Sequence, residues 1–116
     1  MPDTYTNLDR LKLEIQGITI TDHELAIYLQ ESELTPSEEY NPQSATSKRN
    51  IYRAALSILE SIANNPSSMK NYKADDLSVS QFHENLLSRI DQLERKIRTM
   101  KTDSNADTSF FMLFNR

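Results

Sequence analysis

The segment "SKRNIYRAALSILESIAN", Ser47 to Asn64, reads as a helix and as nothing else. Ile51, Ala55, Ile58, Leu59 and Ile62 recur at i, i+4, i+7, i+8 and i+11, while Tyr52, Leu56 and Ala63 widen the stripe. A stripe this wide, with alanines that admit a close neighbour, predicts the central helix of a core. Asn64-Asn65-Pro66 predicts its end.

Working outward, the upstream chain predicts two further helices. The first spans about Asn7 to Gln16, with Leu8, Leu11 and Ile15 on one face and Gly17 as its stop. The second follows a capping box, Thr21 with Glu24 three residues on, and Ile20 and Leu25 have the spacing of a hydrophobic staple. Leu25, Tyr28 and Leu29 form its buried face, and it ends near Glu33. Between Leu34 and Ser47 lies a polar loop. There Thr35-Pro36-Ser37-Glu38 is another capping box with proline at the first helical position, which predicts one short helical turn.

Downstream, "SSMKNYKADDLSVSQF" is a polar connection anchored by Tyr72 and Leu77. Ser78 with Gln81 starts a helix that runs to about Met100, and Leu77 and Phe82 repeat the staple spacing. Its residues Leu86, Ile90, Leu93, Ile97 and Met100 step by four, three, four and three, a short coiled-coil-like seam. Asp91 with Arg95, and Glu94 with Arg98, are i, i+4 pairs in the favourable order. Bases near the helix end (Arg95, Lys96, Arg98, Lys101) suit the negative pole of its dipole. The expectation is an all-α fold: a small bundle of about four helices over residues 1–100 with a long polar loop. Residues 101–116 then form a polar linker and an apolar C-terminal arm.

That arm, "TSFFMLFNR", holds five large apolar residues in a row, Phe110 to Phe114. A mobile tail is ordinarily polar, so these side chains need a surface to cover them. Two routes are open: packing on their own bundle, or reaching a partner as an interaction arm. The second is the expectation taken forward.

Bulk properties fit one domain. The chain has 116 residues, 37% hydrophobic content and a formal charge of −4, too mild for a disordered protein. A single glycine argues against a β-sandwich or barrel, whose tight turns consume glycine. Without cysteine there is neither a disulfide framework nor a thiolate metal site. The start, "MPDTYTNLDR", has no apolar signal-peptide core, and no apolar run approaches the ~20 residues that span a bilayer. Residues 1–46 carry nine acids against two bases, and residues 47–116 eleven bases against eight acids. Such a charge dipole either favours head-to-tail contacts between copies or is simply a solvated surface.

The catalytic inventory is thin. His23 and His83 stand near the starts of different helices, beside acids but without ligand spacing for zinc, and read as structural or exposed. Asp75-Asp76 lacks the repeated pattern of a calcium loop. The lone Gly17 rules out a glycine-rich phosphate loop, and no serine sits in a nucleophile elbow. The expectation is no enzyme, no cofactor and no metal. Specific nucleic-acid binding is not expected either, since Asp91 and Glu94 interleave with the bases of the last helix.

Lys48 to Met100 resembles the small helical head–tail connector (head-completion or adaptor) proteins of tailed bacteriophages and prophages. Three stretches carry the resemblance: the alanine-rich helix "YRAALSILESIA", the connection holding "YK" and "DLSVS", and the closing helix "LLSRIDQLERKI". No portal-contacting motif can be matched residue by residue. The resemblance implies a non-enzymatic virion assembly subunit, made in the bacterial cytoplasm, that forms a ring between portal and tail. Its implied partners are further copies of itself and portal or tail-completion proteins, with DNA passing through the ring and no membrane. The acidic front half is compatible with a conduit that does not grip phosphate. The expected interface residues are Phe110, Phe111, Met112, Leu113 and Phe114, with Tyr72 and Lys73. The alternative expectation is a cytoplasmic helical partner-binding protein, such as a tail-assembly chaperone or antitoxin-like regulator.

Overall fold

In the computed structural model the described residues are 5–73 and 77–100, and they form four α-helices and one 3₁₀ helix. These are α1 (Asn7–Glu14), α2 (Asp22–Glu31), α3 (Ala45–Ala63) and α4 (Val79–Thr99), with the 3₁₀ turn Pro66–Asn71 between the last two. Among the described residues no strand forms, and the only extended pairings are the isolated bridges Thr6–Glu39 and Ile18–Lys73. The fold is an all-α bundle.

Helix α3 is the axis. It packs against α1, α2, α4 and the 3₁₀ helix, while α2 leans on α1 and α3. Its Ile51, Ala54, Ala55, Ile58, Leu59 and Ile62 are buried, joined by Leu11, Ile15, Leu25 and Leu29 from the first two helices and Phe82, Leu86 and Leu93 from α4. Ala54 extends the expected stripe to a second flank, so α3 can be surrounded on more than one side. The helix starts at Ala45, earlier than the expected Ser47, because Ser44 is its cap: the Ser44 hydroxyl accepts the Ser47 N–H at 3.1 Å.

Local rules place the other starts. The Thr21–Glu24 capping box forms in both directions, as does a second box, Thr6 with Asp9, at the head of α1. The Ser78 hydroxyl accepts the Gln81 N–H at the head of α4. The Thr35–Glu38 segment departs from expectation: it makes one hydrogen-bonded turn (Glu38 N–H to Thr35 C=O, 3.1 Å) and no helix. Its carbonyls are used elsewhere. Pro36 and Glu38 accept the N–H groups of Leu8 and Asn7 at 3.1 and 2.8 Å, and Thr35 accepts the buried Asn7 amide at 2.8 Å. With Thr6 and Asp9 each accepting the other's N–H, all four orphan donors at the head of α1 are satisfied.

The ends are equally specific. Helix α2 closes in a Schellman motif: Glu33 N–H bonds Gln30 C=O (3.1 Å) and Leu34 N–H bonds Leu29 C=O (2.9 Å). Leu34 then packs on the core cluster that holds Leu29. Further along, the polar connection contributes one buried residue that periodicity did not reveal, Met69 on the 3₁₀ helix.

Candidate functional site

Three places gather chemistry-bearing side chains. The first is the junction of α1 with α4. Arg89 reaches across from α4 and donates to the Glu14 and Gln16 carbonyls at 2.6 and 3.2 Å. Those carbonyls lie where α1 ends and its own ladder stops, and Gly17, at φ +91°, turns the chain away beyond them. Beside this clamp lies an open cleft of about 330 Å³ lined by Gln16, Leu77, Phe82, Asn85, Leu86 and Arg89. Among the described residues lining it there is no carboxylate or histidine, so it offers shape and hydrogen bonds but no acid–base pair.

The second is a cation–aromatic cluster where the head of α3 meets the tail of α4. The Arg10 guanidinium stands 5.5 Å from the Tyr40 ring and 5.9 Å from the Tyr52 ring, and the Lys96 ammonium stands 5.0 Å from Tyr52. Arg10 also pairs with Glu14 at 3.1 Å. Burial opposes its charge, but Glu14 and Tyr40 outweigh that and hold the guanidinium above its ordinary value. The cluster fastens three helices at one end of the bundle.

The third is helix α4 itself. Its inner seam buries Phe82, Leu86 and Leu93, with Ile90 half-buried against the core. Ile97 and Met100, expected to continue that seam, are half-exposed and lie outside the core cluster, because the helix runs on past the last core layer. Val79 and Leu87 are exposed, at 42% and 49%. Val79 and Ile97 fall on the same arc of the helix as the seam, near its two ends, and only Leu87 of these stands outside it. Along the same helix Arg95 pairs with Asp91, whereas the expected Glu94–Arg98 pair does not form. Asp91 raises the Arg95 guanidinium above its ordinary value by hydrogen bonding to it.

The residues singled out from the sequence fall as follows. Tyr72 and Lys73 meet the α1–α2 connection: the Tyr72 carbonyl accepts Thr19 N–H at 2.8 Å, its hydroxyl donates to Glu24 at 3.5 Å, and Lys73 bridges Ile18. Partial burial, then the Glu24 carboxylate and Tyr28, push the Tyr72 phenol above its ordinary value. His23 is exposed near the start of α2, and His83 is half-buried near the start of α4. Phe110 to Phe114 and Asp75-Asp76 lie outside the described residues. Compared with protein-family models, with curated proteins and with solved structures, the chain finds no match.

Proposed function

We propose that this protein is a non-enzymatic assembly subunit, a head–tail connector of a tailed phage or prophage that acts as a ring between portal and tail. The observation that carries the reading is the pair of large apolar side chains that α4 leaves exposed, Val79 and Leu87. One side of the helix completes the bundle core, while Val79 is exposed at its first residue and Leu87 is exposed beside the buried seam. A subunit whose task is to stack against neighbours needs both: a core that folds alone and an apolar face left over for contact. The likeness of Lys48 to Met100 to the connector proteins supports the same reading, as does the run Phe110 to Phe114 as an arm for a neighbouring subunit or the portal. Tyr72 and Lys73 are the further contacts assigned to this role. The particle is the site of action, and the bacterial cytoplasm the place of assembly.

The test is electron microscopy and sedimentation of the purified chain, alone and mixed with the portal and tail-completion proteins encoded beside its gene. A closed ring that stacks on the portal is expected. A chain that stays monomeric in all mixtures, or whose gene neighbourhood holds no portal or capsid gene, overturns the reading in favour of a cytoplasmic partner-binding protein.

A further inference from the structure

We propose that the outer strip of α2, formed by Glu24, Ile27 and Glu31, docks on the outer strip of α3, formed by Arg49, Arg53 and Leu56, of a second copy of this chain. The inference rests on the assembly reading above and deepens it by naming the surfaces that meet.

Helical spacing defines each strip. Residues at i−3 and i+4 neighbour residue i on a helix surface, so Glu24 and Glu31 flank Ile27. The buried Leu25 and Leu29 stand two positions either side of Ile27, about 200° around the helix, so the strip faces away from the core. Ile27 is 43% exposed and Glu31 is exposed, with Glu24 half-buried beside them. On α3 the same spacing sets Arg53 opposite the fully buried Ile51 and Ala55, with Arg49 at i−4 and Leu56 at i+3. Arg53 is exposed, and Arg49 and Leu56 are half-buried. Each strip runs along about 10.5 Å of helix, at 1.5 Å per residue.

The charges of the two strips are of opposite sign and unmatched within the chain. From Leu13 to Ser47 the sequence holds no lysine or arginine, so α2 has no base of its own to pair its carboxylates. Among the described residues the ion pairs are Arg10–Glu14, Lys12–Asp22 and Arg95–Asp91, and none uses Glu24, Glu31, Arg49 or Arg53. Glu24 accepts from Thr21 and Tyr72, and Arg53 donates to Asn50, all of them neutral side chains. Arg49 and Arg53, at i and i+4, repel each other, and carboxylates brought by another copy relieve that repulsion. Glu60, one turn past Leu56, carries the opposite sign and bounds the basic strip. Ile27 and Leu56 add the apolar contact that exposed ion pairs alone lack. Because the acidic and basic strips are different surfaces, the contact is heterologous and propagates head to tail, closing into a ring where the rotation allows. Each pairing is weak and salt-sensitive, and a closed ring gains by multiplicity.

The experiment compares the parent, Glu31→Lys, Arg53→Glu and the chain carrying both changes, by sedimentation velocity and thermal unfolding. Both positions are exposed, so the bundle is retained. The parent is expected to self-associate at low salt and to come apart at about 1 M salt, where charges are screened beyond about 3 Å. Each single variant sets like charges face to face and should associate about tenfold more weakly than the parent or worse. The doubly swapped chain restores opposite charges and should associate more tightly than either single variant. Association that neither salt nor the variants alter overturns the inference and leaves the assembly reading standing. A double swap no tighter than the single variants also overturns it, since the two residues are then not partners. If the swaps move the unfolding midpoint and not the association, the strips act within one chain and the inference fails. If the parent neither self-associates nor binds a portal protein, the assembly reading falls and takes this inference with it.

Discussion

Glu33 occupies a backbone conformation that an L-residue with a Cβ adopts at a cost. Its φ of +67° belongs to the left-handed region, and glycine is the usual occupant of that position in a Schellman motif. Glu33→Gly is therefore expected to raise stability by about 1 kcal/mol, the relief of Cβ strain offset in part by a more flexible unfolded chain. Gly17 poses the same question with the opposite sign. A Cβ there would meet nothing within 4 Å, so Gly17→Ala tests the backbone effect alone at φ +91°. A loss of about 1–2 kcal/mol is expected in denaturant titration. Equal midpoints for both variants and the parent would show that neither position is strained. Tyr72 gives a pH signature. Its folded-state value is raised above the ordinary 10.0, so its contribution to stability is full below pH 10 and is lost as pH rises beyond it. Tyr72→Phe should flatten the alkaline decline in stability relative to the parent; identical slopes above pH 10 would show that burial and Glu24 do not raise the phenol.

At the scale of the element, α3 and α4 differ in kind. Helix α3 is enclosed, and Leu59, towards its C-terminal half, is fully buried. Leu59→Ala should cost about 2–5 kcal/mol, the range for buried leucine truncations. An unchanged denaturant midpoint would show that the core lies elsewhere. Helix α4 is held by its seam and by Arg89, whose two bonds to the end of α1 tie those elements together. Arg89→Met keeps the stem and removes the donors, and about 1–2 kcal/mol of destabilisation is expected from lost charged hydrogen bonds that are partly open to solvent. Should Arg89→Met unfold at the parent's midpoint, the clamp does not contribute.

For the whole molecule, one central helix touching every other helix predicts one cooperative unit. Far-ultraviolet circular dichroism and tyrosine fluorescence should report coincident unfolding transitions. Separate transitions would make the acidic α1–α2 hairpin an independent unit. Zinc, calcium and magnesium are each expected to leave the unfolding midpoint where it is, because a ligand selective for the native state would raise it. A saturable, stoichiometric shift with any of the three would place a metal site in this chain.

The helices follow from local signals in the chain. Helical periodicity, Thr21 with Glu24, and Ser78 with Gln81 are local signals, each acting within one or two turns, so the bundle and most helix bounds were legible. The buried face of α3 was legible for the same reason: Ile51, Ile58, Leu59 and Ile62 can share a side only in a helix. Other features depend on partners far apart in the chain and are set by packing. The Thr35–Glu38 segment gave up its helical turn because its carbonyls meet the head of α1, where Asn7 stands 28 residues before Thr35. Met69 lies in a polar stretch and is buried because α3 and α4 converge over it. Arg89 reads as one more base on an amphipathic helix until α1 ends within its reach. That Leu87 is left outside the core while Leu86 is buried depends on where α3 lies against α4, and that is fixed by packing between helices, not by either helix alone.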